Sequence, residues 1–206
     1  MAHRRLSSLR GRRPHSLAGV LATLLGLLSV SAVAGNGAPV HEYLDEDTGA
    51  TVTLMTQPLV FAYARTDLAA NARDYATLQA AAVNRSGKVD YVLIAYFWST
   101  VDPRLRRDAL PSPQQLLLQA DDRLIRLSLR GHTAREAGIG MQVDAPPVSS
   151  SPPNVYGIDL DTLGFIAASQ RVALVIDTDP SALTYDLWED RRPALRSFVQ
   201  HLRGQD

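Results

Sequence analysis

The fold turns on residues 68–100, which read LAANARDYATLQAAAVNRSGKVDYVLIAYFWST. The second half, Asp90–Thr100, is the strongest strand of the chain. Tyr91, Leu93, Ala95 and Phe97 lie on one face, and Val92, Ile94, Tyr96 and Trp98 on the other. Two apolar faces mark a central strand covered on both sides. The first half reads two ways. Leu68, Ala72, Tyr75, Leu78 and Ala82 share a helical face, and alanine favours helix. A helix, however, cannot satisfy the backbone N–H and C=O groups of the strand that follows, where water is excluded. Asn84-Arg85-Ser86-Gly87-Lys88 can reverse the chain, with Gly87 at positive φ. The expectation is therefore an antiparallel hairpin of Tyr75–Val83 with Asp90–Trp98, and at most a helical turn near Leu68–Ala72.

Working outward, Thr51–Thr56 and Pro58–Ala64 are short β-type runs that follow the turn Asp47-Thr48-Gly49. Gln115–Ala120 and Arg123–Leu129 flank Asp121-Asp122 and read as a second hairpin. From Arg130 to Asn154 no periodicity survives among glycines, serines and Pro146-Pro147 and Pro152-Pro153. Beyond it, Asp161 can cap a short helix over Thr162–Ser169, and Arg171–Asp177 and Ala182–Trp188 read as strands. Leu195, Phe198, Val199 and Leu202 form a helical stripe, with Pro193 in its first turn and His201, Arg203 and Gly204 at its end. The expected fold class is α+β: a β-rich, sandwich-like antiparallel core over 40–130, a Pro/Ser/Gly loop over 131–154 and a C-terminal strand–helix–strand–helix portion over 155–206.

Residues 1–34 have the form of an export signal. Five arginines and no acid precede the apolar run Leu17–Val30, and Ala32-Val33-Ala34 supplies an A-x-A cleavage site before Gly35. The apolar run is short for a span and diluted by glycine, threonine and serine. The expected product of Sec-type export is one mature domain, 35–206, in the periplasm or secreted, with no stable membrane span after cleavage. The whole chain is formally neutral, with 21 basic and 21 acidic residues; removing the five leader arginines leaves sixteen against twenty-one, about −5. A net acidic domain is a poor partner for nucleic acid. Lys88 is the only lysine, which suggests a GC-rich bacterial coding sequence. Outside the cytoplasm ATP is effectively unavailable, so kinase and ATPase readings fall away.

The chain has no cysteine, which removes disulfides, thiol catalysis and zinc–thiolate sites. Asp47-Thr48-Gly49 resembles the aspartic-protease triplet but follows Asp45-Glu46 rather than an apolar strand, and reads as a solvated turn. Counted from Asp45, Gly49 falls at the fifth position of a calcium loop, where an oxygen ligand is needed. His41, His132 and His201 form no HExxH or His-x-His pattern, and no G-x-S-x-G elbow exists. Gly138-Ile139-Gly140 lacks the third glycine of a dinucleotide loop. No metal or cofactor is therefore expected. Arg104, Arg106 and Arg107, beside Asp102 and Asp108, read as a solvated loop. The candidate site residues are Asp74 and Asp102, at strand margins, and Trp98 among the aromatics of the central strand.

Asn71-Ala-Arg-Asp-Tyr75, Val83-Asn-Arg-Ser-Gly87 and Tyr96-Phe-Trp-Ser-Thr-Val-Asp102 together resemble a loose group of uncharacterised exported proteins and lipoproteins of Gram-negative bacteria. The resemblance covers roughly 50–130 and implies strand for Tyr75–Val83; it brings no activity, cofactor or catalytic residue. Many of that group resemble lipoproteins, whereas this chain has no cysteine to carry the lipid. The expected function is a non-catalytic binding or accessory module of the cell envelope, with an envelope protein or a small ligand as partner. The alternative is a periplasmic hydrolase whose carboxylates, Asp74 and Asp102, come together only in the fold.

Overall fold

β4 (Arg73–Arg85) and β5 (Lys88–Ser99) pair antiparallel over twelve registered positions, from Asp74↔Ser99 to Arg85↔Lys88. The turn between them takes Ser86 at φ 52° and Gly87 at φ 85°. Two left-handed residues make the type I′ geometry that matches strand twist. The ambiguous alanine-rich segment is thus a strand, as the hairpin reading expects. The computed structural model describes residues 38–106, 108–140, 146, 150–178 and 181–205. The leader, the cleavage pair Ala34–Gly35 and Arg107 lie outside the described residues.

The remaining elements are β1 (Val40–Asp45), β2 (Ala50–Met55), β3 (Leu59–Ala64), β6 (Gln115–Ala120), β7 (Arg123–Gly131), β8 (Asn154–Ile158), β9 (Val172–Thr178) and β10 (Ser181–Glu189), with helices α1 (Leu160–Ala168) and α2 (Arg192–Arg203). Around the sheet, β4-β3-β10-β9-β6-β7-β8-β5 returns to β4, every neighbour antiparallel. This is a closed eight-stranded barrel, and it corrects the α+β sandwich expected from sequence. The C-terminal strands are not a separate portion beside a β core: β8, β9 and β10 are three of the eight staves. Closure removes the two open edges that a sandwich would leave.

Eight strands leave an interior just wide enough for side chains to fill. Phe61, Leu78, Phe97, Leu118, Tyr156 and Tyr185 occupy it, each essentially without exposure. α1 and α2 follow β8 and β10 at one mouth. Leu163, Ile166, Leu195, Phe198 and Leu202 join the interior core there. The α1 cap is Asp159, whose Oδ1 accepts from Thr162 N at 2.7 Å, two residues before the cap expected from sequence. A second apolar cluster lies outside the barrel. Val83, Val92, Ile94 and Val155 on the outer face pack against Ala50 and Val52 of β2 and Ile139 of the segment after β7. Both faces of β5 are therefore covered, which is why both are apolar.

Outward positions on β7 read Leu124, Arg126, Ser128 and Arg130, while Ile125 and Leu127 face in. This alternation is the inverse of a membrane barrel, whose outer face is apolar.

Closure rests on contacts that a sandwich lacks. Cross-strand NOEs should connect Phe61 with Leu187 and Leu93 with Tyr156, the registered pairs of β3–β10 and β5–β8. Their absence, with rapid exchange of the β10 amides, would open the barrel.

Candidate functional site

The inward phase of β4 is Asp74, Ala76, Leu78, Ala80, which carries a carboxylate into the barrel end opposite the helices. A buried charge needs a partner. Arg65, just past β3, donates Nη1–H to Asp74 Oδ2 at 2.9 Å, and Arg106 donates Nη1–H to Oδ1 at 2.5 Å. The side chains of Arg65, Asp74 and Arg106 are only 10%, 4% and 7% exposed. Arg65 also holds Asp67 and Asp108, at 2.9 and 3.0 Å. Those carboxylates, Asp67 foremost, push the Arg65 pKa up against the opposing effect of burial. Arg106 does not sit in the solvated loop read from sequence. It turns inward and pins the segment between β5 and β6 over the barrel end.

Both carboxylate oxygens of Asp74 are therefore engaged by the two guanidinium groups. Asp102 lies elsewhere, in an exposed turn where its Oδ1 accepts from Arg104 N at 2.9 Å. No hydrogen bond joins the two among the described residues. Trp98 is on the opposite face of the sheet from Asp74, because its β4 partner is Tyr75. The indole stacks on Tyr75 with centroids 4.1 Å apart, and its Nε1–H donates to Thr77 Oγ1 at 2.9 Å. Trp188 meets the edge of Tyr75, and the Arg73 guanidinium lies 4.7 Å above the Trp188 ring. Two further inward groups end without a partner: Tyr185 Oη and Asn154 Nδ2. Asn154 Oδ1 meets Ser112 Oγ at 3.2 Å and His132 Nδ1 at 3.0 Å, so Ser112 faces the asparagine rather than the imidazole.

A different set of residues converges where sequence gave no signal. At the helical mouth β4 and β5 run on past β3, β2 pairs with the far half of β4, and α2 packs against β1 and β2. Between them lies a recess of about 360 Å³. Thr51, Thr53, Asn84 and Tyr91 line its sheet side, Gln205 its helix side, and Glu42 its rim. Glu42 Oε2 accepts from Thr53 Oγ1 at 3.2 Å and Gln205 Nε2 at 2.8 Å, and lies 3.3 Å from His201 Nε2. These donors, Gln205 first and then His201, hold its pKa below the usual 4.5. His201, expected only to suit the carbonyl end of α2, thus bridges that helix to β1.

The acidic turn resolves separately. Asp45 is buried and caps its own turn, Oδ1 accepting from Asp47 N and Thr48 N at 3.1 Å each, and Oδ2 from Gly140 N at 2.6 Å. Asp47 pairs with Arg135 at 3.1 Å. No family model, curated protein or solved structure matches this chain.

Two outcomes follow from these charges. Asp74→Asn strands two buried arginines and should cost about 3–5 kcal/mol in urea unfolding. Asp108, with a half-exposed side chain, should cost about 1 kcal/mol or less when changed to Asn. Equal effects would show that the buried pairing is not structural. Glu42 has a depressed folded pKa, so its ionised form stabilises the fold above the unfolded value near 4.5, and that contribution is lost as pH falls through the folded value. The stability gap between wild type and Glu42→Gln should shrink as the pH falls below about 5. A gap that widens on acidification would reverse the assignment.

Proposed function

We propose that the chain is an exported, non-catalytic binding module of the cell envelope, and that the Glu42 recess is its binding site. The observation that carries this reading is the fate of the buried ionisable groups. Asp74, the carboxylate best placed for acid–base chemistry, is held by two arginines. A general acid or base needs a free proton site within reach of a substrate, and that cluster offers none. The recess instead presents hydroxyls, amides and one carboxylate at the surface, in a volume within the usual range of small-molecule sites. Supporting the location are the basic-then-apolar leader, the A-x-A site and the resemblance to exported Gram-negative proteins. None of the described helices is long and apolar enough to cross a membrane.

The test has two arms. Protein recovered from the periplasmic fraction should begin at Gly35 by mass spectrometry; intact chain retained in the inner membrane would overturn the localisation. The mature protein, ¹⁵N-labelled, is then titrated with a low-molecular-weight envelope extract. Amide shifts should cluster at Thr51, Thr53 and Gln205. Steady conversion of any extract component by the wild type would establish an enzyme and sink the binding reading.

A further inference from the structure

The recess has a charge character as well as a shape. Of the residues that line it, Glu42 alone is formally charged. Its three polar contacts all fall on Oε2, so Oε1 has no partner among the described residues. α2 ends here: His201, Leu202 and Gln205 all face β1 or the recess, which brings the partial negative charge of the helix C-terminus to the same place. One nearby basic group, His201, stands at the recess itself, 3.3 Å from Glu42 Oε2, and two others are committed elsewhere. Arg203 donates to Asp161 at 2.9 Å, and the Arg85 guanidinium lies over Gly138 on the outer face of the sheet. A negative potential therefore meets a floor of hydroxyl and amide groups. Thr51 and the Asn84 amide stand on that floor beside Val89 and Tyr91. Asn84 Oδ1 is occupied by Gly87 N at 3.0 Å, which leaves the Asn84 NH₂ as a donor.

We propose that this recess binds a small hydroxylated ammonium compound, of which a free amino sugar is the fitting class. The ammonium group pairs with Glu42 Oε1, and the ring hydroxyls exchange hydrogen bonds with Thr51 and Asn84. The apolar face of the ring lies on the Val89–Tyr91 side. Carboxylated or phosphorylated sugars are disfavoured, because their charge would face Glu42 and the helix terminus, and the basic group at the recess, His201, is already against Glu42. This inference rests on the recess being the binding site, and its test separates the two.

The experiment titrates the ¹⁵N-labelled mature protein with D-glucosamine, D-glucose and D-gluconate at pH 6.5 and low salt. Glucosamine should shift the Thr51, Asn84 and Gln205 amides and bind at least about tenfold more tightly than glucose, with no response to gluconate. Glu42→Gln, which keeps shape and hydrogen bonding, should bring glucosamine down to the level of glucose. Thr51→Val should weaken both sugars alike. Equal binding of glucose and glucosamine by the wild type would overturn the ammonium assignment while leaving a sugar-binding recess. Shifts confined to other surfaces would overturn the site itself, whereas no response to any of the three sugars would overturn the amino-sugar assignment and leave the recess to the extract titration.

Discussion

β4 divides one of its edges between two partners, and the architecture follows from that division. The strand is 13 residues long. Along one edge it pairs with β5 throughout. Along the other it pairs with β3 from Arg73 to Leu78 and with β2 from Ala81 to Asn84. β3 continues the sheet into β10 and closes the barrel, whereas β2 continues it only into β1. The sheet therefore forks at the helical mouth. Backbone groups and apolar side chains at a fork must be covered, and the amphipathic α2 does so by packing against α1, β1 and β2. The recess is what this cover leaves over: its floor is the projecting half of β4–β5 and its wall is the end of α2.

Local pattern made the staves legible but not their closure. The hairpin at 75–98 followed from the need of an apolar strand for a hydrogen-bonding neighbour. The α2 stripe followed from its period. Inward–outward alternation, however, is the same in a sandwich and a barrel. The pairs that distinguish them, β5 with β8 and β10 with β3, join segments far apart in the chain. β8 itself was hidden, being five residues directly after Pro152-Pro153 and carrying a glycine. The Arg130 side chain crosses over that glycine from β7, its Nε 2.3 Å from where a Cβ on Gly157 would lie, a contact the half-exposed arginine could relieve by moving. Without β8 the stretch 131–154 separates a β core from a C-terminal portion, whereas the strands on either side of it, β7 and β8, are neighbouring staves.

The candidate site was legible in part for the same reason. Asp74 stood out as an acid at a strand margin, and the longer β4 of the structure gives it the inward parity of Ala76 and Leu78. What the parity did not disclose was a counter-ion from beyond β5. Arg106 sat among exposed-looking charges, and only the fold shows that it reaches back to Asp74. Glu42, Thr53, His201 and Gln205 come from a strand edge, its neighbour, the last turn of a helix and the second residue beyond it. No spacing rule links such positions, so no motif could have announced them.

The filling of the barrel bears on where the proposed binding can take place. Tyr156, Tyr185, Phe61 and Phe97 occupy its interior fully buried, and the two ends are shut by different means. One is shut by the apolar faces of α1 and α2, the other by Arg65, Asp74 and Arg106. Admitting a ligand through the first would expose Phe198 and Leu195, and through the second would separate a buried carboxylate from its two cations. Either costs several kcal/mol before any contact with the ligand forms. The fork asks for neither. Its polar groups are already at the surface and already ordered by Glu42, so binding there need not unpack the core. A barrel whose interior is filled by its own side chains thus leaves the fork, where the sheet fails to close on itself, as the surface on which the proposed binding costs the core nothing.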